Sequence, residues 1–265
     1  MTVVVVEKDK DERRSSLGKG LDLLSVIAGC GRAGATLSDA ARRARLHPAT
    51  AHRLLSALLE SNFVSLDPYR KRYHLGLMPY EIVAKAGPDP AFVELRRRMR
   101  PTLRAVQAEF DGIVCLSVPS NGEALCIEVL PGNCVITVNT LEVGSRRPLG
   151  AGAASLALLA ALPAAERDAV IAREEERYRK YGGLSAEIVR KACVRLERDG
   201  YVVNEGVIIP DIVALAVPIF DGADAIAAMS VTNTVSQLAK PRRPEMLGVM
   251  AAAIGRLGYG VRPQR

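Results

Sequence analysis

The sequence predicts an α+β protein in two parts: a small, mostly helical N-terminal module and a larger C-terminal domain with a mainly antiparallel sheet. Three observations predict it. Between Thr36 and Leu75, two short helical patterns meet at a Pro-containing turn and run into a basic hairpin pattern. From Ile113 the apolar period changes from helical to strand-like, with Asn121-Gly122 between two strand-like runs. The chain of 265 residues is 49 % hydrophobic and 25 % charged, a globular composition with enough apolar material for a second core.

Taken in order, residues 1–15 are charged and polar after a short Val run and read as a disordered arm. Ser16 to Ala28 is a helix with Leu17, Leu21, Leu24 and Ala28 on one face and Ser16 as its cap. Glycines between Gly29 and Gly34 end it. Thr36-Leu37-Ser38-Asp39 opens a second helix with a hydroxyl cap and an acid three residues on. Leu37, Ala40, Ala41 and Ala44 give that helix a narrow face of mostly small residues, which allows close crossing. Leu46-His47-Pro48 is the turn, with Pro at the favoured first position of the next helix. That third helix runs to about Ser61. Ala51, Leu54, Leu55 and Leu58 form its core face, so Ala49, His52, Arg53 and Ser56 point the other way, with Thr50 on the flank. Phe63–Leu66 and Tyr73–Leu75 read as strands around a turn that carries Arg70, Lys71 and Arg72.

This order of parts is that of a winged helix-turn-helix, whose second helix offers its N-terminal end to base edges in the major groove. Arg pairs bidentately with guanine, and Thr or Ser donates to bases or phosphates. The basic hairpin suits phosphates, where each one neutralised releases a counterion. Helix pairs and charged turns also occur as plain solvated structure, but here they arrive in the order a wing requires. Between Ser16 and Gly76, nine cations face four acids, an excess that supplies most of the formal +7. The candidate DNA contacts are Thr36, Ser38, Pro48, Ala49, Thr50, His52, Arg53 and Ser56, with Arg70, Lys71, Arg72 and Tyr73 on the wing.

Leu77 to Ala86 is a short helical segment, and Gly87-Pro88-Asp89-Pro90 breaks it as a linker. Pro90 to Phe110 is a long helix. Its arginines (Arg96, Arg97, Arg98, Arg100, Arg104) read as a solvated or oligomer-contact face rather than a DNA contact, and Pro101 as a kink. Ile113–Val118 and Ala124–Leu130 form the hairpin, and Cys134–Val138 is a further strand. Ala151–Ala161 is an apolar, buried helix, Glu166–Lys180 a charged and exposed one, and Ser185–Arg198 an amphipathic one. Strands at Ala214–Phe220 and Ala225–Thr232 and a helix from about Pro244 to Leu257 complete the chain. The expected divisions are 1–15 arm, 16–77 DNA-binding module, 78–91 linker helix and 92–262 second domain.

Several function classes lose support. No apolar run reaches the ~18 residues needed to span a bilayer, and the N-terminal run is too short for a signal peptide, so a cytoplasmic protein without membrane contact is expected. The five cysteines lack CxxC spacing and the three histidines fall between residues 47 and 74. No metal site, cofactor or catalytic residue is therefore expected. The cysteines read as buried free thiols in a reducing compartment, with redox sensing as the alternative. An enzyme acting on a small molecule in the second domain is the competing reading. It finds no His there, no Gly-rich phosphate loop, and in Glu174-Glu175-Glu176 only a surface run.

The chain resembles the IclR family of bacterial transcriptional regulators from about Leu17 to Gly260. The resemblance rests on Lys19-Gly20-Leu21, Leu37–Ala41, Thr50–Leu55 and Tyr73–Gly76. Pro148-Leu149, Ala157–Ala160, Asp199–Tyr201, Ala216–Asp221 and Met229–Val231 carry it through the second half. It implies an N-terminal winged helix-turn-helix, a C-terminal effector-binding domain with a GAF-like sheet, and dimers or tetramers on double-stranded operator DNA. By matching positions, the resemblance places an effector pocket at Ile136, Asn139, Arg147, Ala153, Ala154, Asn204, Ile212, Ala214, Ser230 and Thr232. A helix N-terminus with small side chains exposes amides to an anion, and Arg146 or Arg147 supplies charge. A small organic acid is therefore the expected effector, ahead of a neutral ligand.

Overall fold

The computed structural model describes residues 15–85, 91–132 and 141–262. The expected arm, the Gly87–Pro90 linker and the strand Cys134–Val138 lie outside them, apart from Ser15. The chain divides into two compact units at Ala91.

In the first unit, α1 (Ser16–Gly29) starts one residue after its cap: Ser15 Oγ accepts the Gly18 N–H at 3.1 Å. The buried face is Gly20, Leu23 and Ile27, whereas Leu17 is 72 % and Leu21 53 % exposed. This corrects the expected stripe. Apolar residues nearly encircle α1, and the Leu23–Ile27 pair, four residues apart, wins the core. In α2 (Leu37–Ala44), Ala40, Ala41 and Ala44 are buried as their spacing requires. Arg45 takes a left-handed conformation (φ 54°) that turns the chain into α3 (Pro48–Glu60), where Ala51 and Leu55 are fully buried. The wing is β1 (Val64–Asp67) paired antiparallel with β2 (Arg72–Leu75), from Val64 opposite Leu75 to Asp67 opposite Arg72. Tyr73 also exchanges two backbone hydrogen bonds with Ala35, which fastens the wing to the start of α2. After the wing comes α4 (Met78–Lys85), none of whose residues is buried.

The second unit opens with α5 (Ala91–Phe110), which continues through Pro101. Two long antiparallel hairpins follow. In β3 (Ile113–Ser120) and β4 (Glu123–Leu130), Asn121 and Gly122 both have positive φ, as a two-residue hairpin turn demands. The other hairpin is β7 (Ile212–Asp221) with β8 (Asp224–Thr234). Two short edge strands, β5 (Arg146–Pro148) and β6 (Val202–Glu205), complete a six-stranded sheet in the order β5-β4-β3-β8-β7-β6, in which every described pairing is antiparallel. Neither edge strand stands out in the sequence. β5 is three residues of Arg-Arg-Pro, paired along the outer edge of β4 at Glu123, Ala124 and Leu125, whose other edge bonds β3.

Alternation divides the sheet between two cores. Val114, Leu116, Leu215, Val217, Met229 and Val231 face α5 and α9 (Arg243–Gly255). Ala124, Ala216 and Ala228 face α6 (Ala153–Ala160), α7 (Ala164–Tyr178) and α8 (Ala186–Asp199). All eight residues of α6 are buried, two residues later in start than the apolar run suggests. Against the sequence reading, α7 buries Val170, Ile171, Glu174 and Tyr178. Glu174 is only 5 % exposed and is held by Arg173 (3.1 Å) and Arg177 (2.8 Å), so it is an ion-paired interior group and not part of a surface run. The α5 arginines are also used by the fold. Arg96 bonds the buried Glu128 at 2.8 Å, and Arg98 donates to the Leu257 carbonyl and sits over the Tyr259 ring.

Candidate functional sites

The basic face is built on α3. Pro48, Ala49, His52 and Arg53 are exposed and Thr50 is half-buried. Ser56 donates its hydroxyl to the His52 carbonyl at 3.0 Å. The helix begins at an unforeseen cap: His47 Nδ1 accepts the Ala49 N–H at 3.3 Å. An accepting Nδ1 leaves the proton of a neutral imidazole on Nε2, so His47 adds a donor beside Ala49. Its place directly before a helix-opening Pro is the signal that could have found it.

Three expected contacts have other work. Thr36 is the α2 cap, accepting the Asp39 N–H at 3.2 Å and donating to the Asp39 carboxylate at 3.0 Å. Tyr73 is 7 % exposed and belongs to the core. Arg72 Nη1 donates to the carbonyls of Ala33 (3.2 Å) and Gly34 (3.1 Å), bracing the wing against the segment before α2. Ser38, Arg70 and Lys71 remain exposed. Tyr69, which sequence reasoning passed over, is 95 % exposed at the wing tip. Arg72→Ala should therefore lower the melting temperature and weaken binding to all DNA. Arg70→Ala should leave stability alone and lower the salt slope by about one counterion. Equal, purely ionic effects of the two substitutions would contradict this division.

The wing turn depends on Asp67. Its Oδ1 accepts the backbone N–H groups of Arg70 (3.0 Å) and Tyr69 (2.9 Å), and these donors, Arg70's first, hold the carboxyl below its ordinary 3.8. A depressed carboxyl contributes fully above its ordinary value and loses that contribution as pH falls through the depressed one. The Tyr69 and Arg70 amide resonances should accordingly titrate with a midpoint under 3.8. A midpoint at or above that value would show the turn to be held otherwise.

The second site is a cavity of about 100 Å³ in the C-terminal unit, several times the ~10–15 Å³ that one water requires. Its floor is one sheet face: Ile113, Cys115 and Ser117 of β3, Ser230 and Thr232 of β8, Ile212 and Ala214 of β7. The register brings these together by setting Cys115 opposite Ser230 and Thr232 opposite both Ile113 and Ala214. The first turn of α6 (Ala153, Ala154, Ser155) forms one wall, while Asn204, Ile208 and Ile209 form another. Arg147 of β5 supplies positive charge, and no acidic side chain is among the described lining residues. All eight described residues of the expected pocket line this cavity; Ile136 and Asn139 lie outside the described residues. Sequence reasoning missed Cys115, Ser117, Ile208 and Ile209. The period-2 pattern of β3 could have found the first two, but only the β3–β8 register brings them to the floor.

Gly152 caps α6 at φ 116° with no side-chain cap, and among the described residues no acceptor meets the first-turn amides. The approach to that turn is fixed from α7. The buried Tyr178 hydroxyl donates to the Leu149 carbonyl at 2.7 Å, and a Cβ at Gly150 (φ 99°) would lie 2.7 Å from that hydroxyl's oxygen. Tyr178→Phe leaves that carbonyl unpaired and should cost about 1–3 kcal/mol in denaturant unfolding. An unchanged midpoint would contradict the assignment. The thiols here are quiet ones. Hydrogen bonding to Cys126 and burial push Cys115 well up, and burial pushes Cys193 to about 11, so both stay protonated at neutral pH.

Residues 91–256 match the family described as bacterial transcriptional regulator IclR C-terminal, and residues 16–68 the IclR helix-turn-helix domain. The HTH-type transcriptional regulator BhcR of Paracoccus denitrificans is 25 % identical over 94 % of this chain and 88 % of its own length. KipR of Bacillus subtilis, also an HTH-type transcriptional regulator, is 26 % identical over 79 % and 82 %. Among solved structures, an IclR homolog from Microbacterium hydrocarbonoxydans complexed with 4-hydroxybenzoate superimposes with a TM-score of 0.75 at 26 % identity, covering 92 % of this chain and 98 % of that one. Thermotoga maritima IclR shares the fold at a TM-score of 0.68 and 20 % identity, over 92 % and 99 %.

Proposed function

The chain belongs to the IclR family of bacterial transcriptional regulators, and from that premise we propose that a small organic carboxylate, held in the C-terminal cavity, modulates its binding to a DNA operator. Its N-terminal unit is a helix-turn-helix DNA-binding domain. In our reading Ala49, Thr50, His52 and Arg53 meet bases, while Ser38, Pro48, Arg70 and Lys71 meet sugar and phosphate. Ser56 contributes through its helix-bound hydroxyl only at the edge of that face.

One observation carries the effector reading: a cavity lined by aliphatic and hydroxyl side chains, with no acid among the described lining residues, pairs an arginine with the first turn of a buried helix that has no side-chain cap. Both ends of that pairing favour an anion. The 4-hydroxybenzoate complex of the Microbacterium relative supports an aromatic acid as the first class to try. We read the site as one of binding rather than catalysis, because no histidine or carboxylate is among the described lining residues to activate the Cys, Ser and Thr side chains of its floor. Self-association into a dimer or tetramer is part of the proposal. Leu77, Tyr80, Ile82 and Val83 are all 48 % or more exposed around α4, an apolar cluster of the kind that supports a contact between copies.

The test is fluorescence anisotropy on DNA flanking the protein's own coding region, at two salt concentrations, with a panel of aromatic and aliphatic acids and their neutral amides. A discrete, salt-sensitive complex shifted by one acid and not by its amide is expected. Specific DNA binding that no acid alters, in a protein that an amide does alter, would overturn the carboxylate reading.

A further inference from the structure

The turn that follows α7 touches the cavity from behind at two points. Tyr181 in this turn is half-buried against the α6–α8 core, and the Arg147 guanidinium lies over its ring at 5.3 Å from the centroid. The next two residues hold the opposite wall. Gly183 N–H donates to the Val207 carbonyl at 3.0 Å, and Gly182 (φ 63°) comes so close that a Cβ there would be 2.6 Å from the same oxygen. Val207 immediately precedes Ile208 and Ile209, which line the cavity. The turn itself is tied to α7 by the Tyr181 N–H to the Tyr178 carbonyl at 2.9 Å.

We propose that Tyr181 is a specificity-determining positioning residue, whose ring holds the Arg147 guanidinium at the anion end of the cavity. The effect is electrostatic and entropic. An arginine carries several rotatable bonds, and a mobile guanidinium spends part of its interaction with an anion on becoming ordered. The negative face of the Tyr181 ring attracts the cation and lets the planar group stack, so that the fork is set before a ligand arrives. Tyr181 lies outside the cavity lining and acts through Arg147. Its influence should fall on charged ligands and spare neutral ones of the same shape. The inference about affinity rests on the carboxylate reading above; the inference about Arg147 does not.

The experiment varies the ring without changing its shape. Tyr181→Phe is made in the full chain, and mono-, di- and trifluorophenylalanine are then placed at the same position to drain charge from the ring face. Two readouts are followed: hydrogen exchange of the Arg147 Nε–H by NMR in the ligand-free protein, and the Kd values for benzoate and benzamide. Tyr181→Phe should resemble the parent. Across the fluorinated series, Arg147 exchange should quicken several-fold and benzoate affinity fall about three- to tenfold, with benzamide unmoved. Arg147 exchange that is constant across the series would overturn the proposal. Exchange that responds while the parent protein fails to bind benzoate would uphold Tyr181 as the positioning residue and count against the carboxylate reading for this acid. A parallel loss for benzoate and benzamide would mean that Tyr181 only packs, and would overturn the specificity role.

Discussion

Arg53→Ala should cut discrimination between operator and random DNA about 5- to 150-fold while leaving most of the non-specific affinity. Arg53 is exposed on the second turn of α3, on the face opposite the buried Ala51 and Leu55. It is the one cation that the described part of α3 carries. A bidentate contact to guanine is worth about 1–3 kcal/mol of base discrimination, roughly 5- to 150-fold. Non-specific affinity comes from phosphates, and Arg70 and Lys71 on the wing are unaffected, so the salt slope should fall by about one at most. Arg53→Lys sharpens the test. It keeps the charge but loses the fork, and should restore non-specific affinity without restoring discrimination. An operator preference that survives Arg53→Ala at full strength would remove α3 from the role of reading bases.

Arg147→Gln is expected to weaken carboxylate binding about 10- to 150-fold, the ~1.5–3 kcal/mol of a hydrogen bond to a charged group. The substitution is made at the edge strand β5, in a residue that is half-buried, so the two cores on either side of the sheet stay intact. Neutral amides of the same acids should bind as before, and the ligand-free protein should bind its operator as before. The residual affinity for the acid is assigned to the α6 amides and the Ser230 and Thr232 hydroxyls. If the acid binds Arg147→Gln undiminished, the anion is held elsewhere.

Much of this was legible in the sequence where signals are local. Thr36, Pro48 and the Ala40–Ala44 face set α2 and α3 by capping, ring geometry and spacing, which neighbouring residues decide among themselves. Asn121-Gly122 did the same for the β3–β4 hairpin. What failed was decided at a distance. The choice of Leu23 and Ile27 over Leu17 and Leu21 depends on what α2 and α3 offer α1, and the three-residue β5 depends on the outer edge that β4 offers it at Glu123, Ala124 and Leu125. Arg72 looked like its neighbours Arg70 and Lys71, but only the folded chain brings the carbonyls of Ala33 and Gly34 within its reach. Glu174, in a run of three glutamates, is buried because Arg173 and Arg177 flank it on one side of α7. The pocket's polar floor was half visible: Ser230 and Thr232 lie two apart on one strand, whereas Ser117 and Cys115 join them through strand pairing more than a hundred residues away in sequence.

In the reading proposed here one ligand site and one DNA face are coupled, and coupling between binding sites is reciprocal. The most direct measurement takes an acid that the protein binds and determines its Kd with the protein free and saturated with operator, alongside the operator Kd with and without the acid. The same factor is expected from both directions, about 5-fold or more, and its loss in Arg147→Gln. An acid that occupies the cavity yet leaves operator affinity unchanged, with a factor of one both ways, would contradict it.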